Sequence, residues 1–352
     1  MSIILLFLTI TKFIFLPDKM LDNSVSKESK FHGPLFVVGM PRSGTKLLRA
    51  LLIRNSNINF PPSETNFIPY MIDRFGKTVE FADLSILKDF YTEFTKTSFY
   101  GTMKKKGVIL EFDKLKTADI SSWSELIEYL LQYYTSDPTT EDFILGDKSP
   151  AYVNHMIMLK EAFPAAKFLH IIRDPRDYAL SVKKTWGKNI YRAASKWNAS
   201  MNSVQLIISN LGDDYMELHF EELLDTPKII MLEICDFIGC EFSEDMIKLS
   251  EPSEFIGSSK GEARIVKGNK NKYLTELSTR QINRIEEIVF RSISPMPYEL
   301  KYATQSKPIG KIMLRLYKIL DGLALIKFYT GSRGFRQGLR YSYQGYRRSL
   351  RI

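Results

Sequence analysis

Leu35-Phe-Val-Val-Gly39 leads without a break into Met40-Pro-Arg-Ser-Gly-Thr-Lys46. The first five residues form a continuous apolar run with β-branched Val37 and Val38, the pattern of a strand buried on both faces. Pro41-Arg-Ser-Gly44 then predicts a tight turn. From Thr45 onward, Leu47, Leu48, Leu51 and Leu52 recur at helical spacing. Strand, tight loop and helix follow one another within two dozen residues.

The same alternation repeats downstream. Phe143–Leu145 predicts a short strand ending at Gly146-Asp-Lys-Ser-Pro150, and a helix runs from about Tyr152 to Phe163. Lys167–Ile172 (KFLHII) predicts a third strand, ending at Arg173-Asp-Pro-Arg-Asp177; the next helix carries Tyr178, Ala179, Ser181 and Val182. Tyr215–Phe220 predicts a fourth strand, and Pro227–Ile238 its helix, stopped at Gly239. Alternating strands and helices predict an α/β fold, a central parallel sheet flanked by helices. Such sheets bind ligands at the carboxyl ends of their strands. Arg42, Lys148 and Arg173 all fall at those ends, so three cations from remote segments would converge on a multiply charged anion. Tyr70–Glu128 is expected to be a polar, mostly helical insertion or lid, with a basic stretch at Lys104–Lys106.

The chain has 352 residues, 44% apolar and 25% charged, which excludes wholesale disorder and a polytopic membrane protein. Two cysteines, Cys235 and Cys240, exclude a disulfide framework, and four scattered histidines disfavour a metal enzyme. The net charge of +9 is uneven: residues 307–352 hold eleven Lys/Arg and one acid, Asp321, while the rest is close to neutral. Nucleic-acid binding would place that charge on a groove-reading element. Instead it follows a helical stretch, Ile309–Tyr329, and ends Arg-rich with tyrosines from Arg340 to Arg351. Such a tail suits an anionic membrane surface, or else a helix packed on the body with a solvated basic end. Met1–Leu16 is apolar but short of a membrane span and interrupted by Lys12; residues 1–19 are read as a signal anchor or as a segment ahead of a start at Met20. The expected organisation is a leader over 1–32, a catalytic domain over 33–300 and a basic tail over 301–352, with a cytoplasmic, membrane-associated location.

Gly39 to Lys46 resembles the phosphate-binding loop G-x-x-x-x-G-K-[ST], with the last two residues exchanged to Thr45-Lys46. In a nucleotide triphosphatase the Lys reaches the β- and γ-phosphates and the next hydroxyl binds magnesium. Here the hydroxyl comes first and Arg42 already supplies a cation inside the loop. The backbone N–H groups of Ser43, Gly44, Thr45 and Lys46 can still cradle an anion at a helix start.

Pro41-Arg-Ser-Gly-Thr45 after an apolar strand resembles the 5′-phosphosulfate loop of the sulfotransferase family. Arg173 with Ser181 eight residues on is similar to that family's 3′-phosphate element. The resemblance covers residues 33–300 and implies a P-loop nucleotide-hydrolase-like (sulfotransferase) fold. It also implies 3′-phosphoadenosine-5′-phosphosulfate (PAPS) as donor, without an obligatory metal. Ser63-Glu-Thr65, Lys148 in Asp-Lys-Ser-Pro, and Lys196-Trp-Asn198 resemble most the tyrosylprotein sulfotransferase branch. The acceptor stays open among saccharide, lipid, small alcohol and peptide tyrosine.

By the resemblance, Glu64 is the base that takes the acceptor hydroxyl proton, with His155 as rival. Arg42 and Lys148 stabilise charge on the transferring group, and Thr45 and Lys46 bind the 5′-phosphate. Arg173 and Ser181 bind the 3′-phosphate, and Phe220 stacks near the adenine. Lys260, Gly261 and Arg264–Lys272 resemble the family's late basic loop in composition only, and Trp197 is expected in the core. Two other readings stand beside this one: a P-loop kinase or nucleotide triphosphatase using Mg-ATP, with Asp174 as its acid, and a non-catalytic peripheral membrane protein. The Thr45-Lys46 order argues against the kinase.

Overall fold

The computed structural model describes residues 31, 34–135, 143–254, 256–257, 259–336 and 338. The anchor reading of residues 1–19 and the Arg-rich end from Arg340 fall outside the described residues. Five strands form one parallel sheet: β1 (Leu35–Gly39), β2 (Ile58–Asn59), β3 (Ile144–Lys148), β4 (Lys167–Ile172) and β5 (Tyr215–His219). Their order is β2-β3-β1-β4-β5. Central β1 is buried throughout and pairs Leu35 with Gly146 on one side and Val38 with His170 on the other. Every carboxyl end lies on the same edge, so Lys148 and Arg173 flank the loop that leaves β1.

Alternation along β1 separates two cores, because successive side chains point to opposite faces. Leu35 and Val37 pack with α1 (Thr45–Leu52) and, further along the chain, with residues Pro227–Ile238. Phe36 and Val38 pack instead among α2 (Ile68–Phe75), α3 (Leu84–Phe94), α4 (Ser98–Lys105), α5 (Phe112–Lys116) and α6 (Trp123–Thr135). This corrects the expectation of a polar lid over Tyr70–Glu128. Phe81, Phe90, Phe94, Phe99 and Trp123 are fully buried there, in one cluster with Phe36 and Phe168. The apolar positions are dispersed among many exposed Lys and Glu, and the helices are short, so composition hid a packed layer.

The second half of the chain adds α7 (Met156–Ala162), α8 (Pro175–Trp186), α9 (Ile190–Gln205), α10 (Phe220–Asp225), α11 (Pro227–Ile238), α12 (Tyr273–Glu276), α13 (Thr279–Ile293) and α14 (Lys311–Arg333). Helices α8, α9 and α13 bury Trp197, Ala194, Ile285 and Val289 together. Boundaries shift in four places. β3 continues to Lys148, two-residue β2 escaped the sequence pattern, and Phe220 opens α10 rather than ending β5. The helix expected from Tyr152 is a 3₁₀ turn over Pro150–Asn154 followed by α7, with His155 at the break.

Candidate active site

The loop after β1 is shaped by close packing. Gly39 has φ +147°, and a Cβ there would lie 2.5 Å from Ile171 O, so only glycine lets the chain leave the sheet here. Gly44 (φ +99°) caps α1, and a Cβ on it would strike the Phe220 ring at 2.2 Å. Between them Arg42 adopts φ +85°, unusual for a residue with a side chain, at a cost on the order of 1–3 kcal/mol. Ser43 N donates to Met40 O at 3.0 Å and closes the turn. Ser43 Oγ is buried with no hydrogen-bond partner among the described residues. The first N–H groups of a helix lack intrahelical acceptors, so the start of α1 offers donors beside that hydroxyl.

Arg173 leaves the end of β4 and reaches the same loop. Its Nη1 donates to Arg42 O at 3.1 Å and its Nη2 to Asn269 O at 2.9 Å. The guanidinium lies over the Phe220 ring, 4.7 Å from its centroid. Trp197 Nε1, in the core, donates to Arg173 O at 3.1 Å and holds the backbone in place. Arg173 Nε is buried without a hydrogen-bond partner among the described residues. Arg42 Nε points to Ser181 Oγ at 3.4 Å, while its Nη1 pairs with Glu254 Oε2 at 3.0 Å and its Nη2 donates to Ile256 O. Lys272 completes a pocket in which four cations, Arg42, Arg173, Lys184 and Lys272, meet Ser181 and one carboxylate, Asp177. Partial burial, then Arg173 and Lys184, lower the Lys272 ammonium below its ordinary value. Cations crowded in this way favour an anion between them.

Across the loop, Lys148 Nζ at the end of β3 makes a short ion pair with Glu64 Oε1. Glu64 Oε2 also accepts from Asn66 Nδ2 at 3.0 Å. The segment carrying Glu64 is held down by its neighbour. Thr65 N and Oγ1 donate to buried Asp147 at 3.2 and 2.8 Å, and Tyr152 OH lies 2.7 Å from Thr65 Oγ1. Burial pushes the Asp147 carboxyl up to about 6, against hydrogen bonds from Ser149 and Thr65. Glu64 and Lys148 open on a cleft of about 270 Å³, also lined by Lys46, Arg49, Arg54 and Glu251. Arg49 Nε and Arg54 Nε are buried there without hydrogen-bond partners among the described residues.

The expected site residues therefore fall into two groups. Arg42, Arg173, Ser181 and buried Phe220 lie together on the β1–β4 side. Glu64 and Lys148 lie together on the β3 side, with Lys46 lining their cleft and approaching Glu254 Oε2 at 3.8 Å. The Arg42 side chain turns to Ser181 and Glu254 rather than to Lys148. His155 stands at the start of α7 and lines neither group. Of the late basic loop, Asn269 and Lys272 line the pocket with Ser181, and Arg264 lines the neighbouring cavity beside Phe220. Sequence reasoning missed Arg49, whose position three residues after Lys46 puts both on one face of α1. It also missed Asp147 and Glu254. A carboxylate preceding Lys148 on a strand was a readable signal; Glu254 sits in a loop without any pattern.

A family model described as the sulfotransferase family matches residues 34–244. The chain belongs to the sulfotransferase family. Protein-tyrosine sulfotransferase A of Caenorhabditis elegans is 26% identical over 234 residues, covering 64% of this chain and 54% of that protein. Protein-tyrosine sulfotransferase 1 of Danio rerio is 22% identical over 297 residues, covering 82% and 69%. The chain thus spans about half the length of the first of these relatives. A solved sulfotransferase domain from the curacin biosynthetic pathway superposes with a TM-score of 0.50 at 20% identity, over 76% of this chain and 99% of that one, and shares the fold. The sheet and its flanking helices are the P-loop-like α/β fold of sulfotransferases, and family membership disfavours the Mg-ATP kinase.

Proposed function

We propose that the chain is an enzyme that moves a sulfuryl group from PAPS to a hydroxyl on an acceptor. The observation that carries this reading is the hydrogen bond between Arg173 Nη1 and Arg42 O, 131 residues apart, with both side chains lining one cavity. Unpartnered, buried Ser43 Oγ and Arg173 Nε fit a ligand rich in acceptor oxygens. Arg42, Arg173, Ser181 and Lys272 would hold the 3′-phosphate. Ser43, Gly44, Thr45 and Lys46 would hold the 5′-phosphate, with Phe220 beneath the loop on the adenosine side. Bound there, the donor would supply the sulfuryl group: the acceptor oxygen would bond to sulfur as the bond from sulfur to the 5′-phosphate oxygen breaks in line, and adenosine 3′,5′-bisphosphate would leave as the anion, with no metal ion required.

Glu64 takes the proton from the acceptor hydroxyl, since its carboxylate opens on the cleft where an acceptor enters. Lys148 keeps that carboxylate in place and supplies positive charge where negative charge grows in the transition state. Asp147, Thr65 and Tyr152 position Glu64 through the backbone of its segment. Arg49 and Arg54 line the acceptor side, and a saccharide, lipid, small alcohol or peptide tyrosine each brings the needed hydroxyl.

The test is calorimetric binding of adenosine 3′,5′-bisphosphate in the presence of EDTA. Mass spectrometry of acceptor pools with isotopically labelled donor then reads the gain of one sulfuryl group. Binding of ATP that requires magnesium, with no affinity for the bisphosphate, would overturn the proposal.

A further inference from the structure

One face of α14 holds it to the body. Asp321 is buried; its Oδ1 accepts from Asn189 N at 2.7 Å, and its other oxygen pairs with Arg192. Tyr317 packs beside Tyr191, and Ala324 lies against Gly187. Residues 317, 321, 324 and 328 share that face at helical spacing.

The opposite face has the wrong chemistry for water. Ile312, Leu316, Ile319, Leu323 and Ile326 recur at spacings of four and three and form one ridge. Ile312 is 85% exposed, Ile319 64% and Leu323 60%. A surface helix docked on one side normally turns polar residues outward. Here the outward ridge is apolar, and its charged neighbours Lys311, Arg315, Lys318 and Lys327 are all exposed cations. The tail's single acid, Asp321, faces the body and is neutralised by Arg192. Beyond α14 the sequence adds Arg336, Arg340, Arg347, Arg348 and Arg351 with no acid.

We propose that α14 is an in-plane anchor that lays its outward ridge into the interface of an anionic lipid bilayer. The apolar side chains enter the headgroup–acyl boundary, and the flanking lysines and arginines meet lipid phosphates. Charge selects this occupant over a second copy of the chain. Two such helices face to face would bring two strongly basic tails together with no acid to offset them. The helix lies on the membrane rather than crossing it: among the described residues no helix is long and apolar enough to span.

The test is co-sedimentation of the full chain with phosphatidylcholine vesicles, with and without phosphatidylglycerol, at low and high salt. The wild type is expected to sediment with the anionic vesicles, and less so as salt rises. The double variant Ile319→Asp with Leu323→Asp is expected to lose about tenfold or more in vesicle affinity, with bisphosphate binding unchanged. The variant Lys311→Glu with Lys318→Glu should lose binding to anionic vesicles at low salt, also with bisphosphate binding unchanged. The apolar stretch Met1–Leu16 is present in every protein compared, so it cannot produce these differences. Equal vesicle affinity in the wild type and the Asp variant would overturn the proposal. So would concentration-dependent self-association in sedimentation velocity that the Asp variant abolishes, with no vesicle binding by the wild type.

Discussion

Glu254 places a carboxylate oxygen 3.0 Å from Arg42 Nη1 and 3.8 Å from Lys46 Nζ, between two cations proposed to bind phosphate. A side-chain anion thus occupies part of the charge field that the donor's phosphates would use. If the donor's phosphates engage both Arg42 and Lys46 as proposed, this pair gives way on binding. The variant Glu254→Gln keeps the shape and removes the competing charge. Its affinity for adenosine 3′,5′-bisphosphate, read by calorimetry, is expected to rise roughly threefold to tenfold. An unchanged or weaker affinity would show that Glu254 does not compete with phosphate.

Arg173→Lys keeps the charge but loses the fork that joins Arg42 O to Asn269 O. The expected result is a bisphosphate affinity about tenfold to a hundredfold weaker, with a smaller change in turnover at saturating donor. Identical affinities would remove Arg173 from the phosphate site.

Glu64→Ala and Lys148→Ala should act chiefly on turnover and leave bisphosphate affinity within about twofold of wild type, because neither residue lines the pocket of Arg42, Arg173 and Ser181. Glu64→Ala is expected to slow turnover by about a hundredfold or more. Loss of donor binding with intact turnover per bound complex would contradict the assignment.

Asp147 ties stability to pH. Burial raises its carboxyl from 3.8 to about 6, so the native fold holds this proton more tightly than the unfolded chain. The contribution to stability is complete below the unfolded value near 3.8 and is lost as pH rises through about 6. Asp147→Asn retains an acceptor for Thr65 without the buried charge. Between pH about 4 and about 7, urea unfolding should shift in favour of the variant by on the order of 2–3 kcal/mol. A difference that stays constant with pH would refute this.

Much of the proposed donor side is legible in the sequence. Gly39, Gly44 and the Leu pattern of α1 are local signals, since each reflects a backbone or packing need within a few residues. Arg42 and Arg173 were placed at strand ends by local signals, whereas Ser181 came from the resemblance to the sulfotransferase family; the fold brings the three side chains to one pocket. The acceptor side was less legible. Glu64 and Lys148 come from separate segments, and the Asp147–Thr65–Tyr152 cluster that joins them has no periodic trace. The layer of α2 to α6 was misjudged because burial of Phe90 or Trp123 depends on partners dozens of residues away.

Chain order and spacing were enough to establish a parallel α/β sheet with a phosphate-type loop after its central strand, because hydrophobic period and turn chemistry act over short range. Only the folded molecule shows that Arg42 turns toward Ser181 and Glu254 instead of Lys148, and that α14 hides its acid and displays its leucines and isoleucines. Those outcomes depend on which surfaces meet, and a long-range meeting of surfaces is set by the packing of the whole chain.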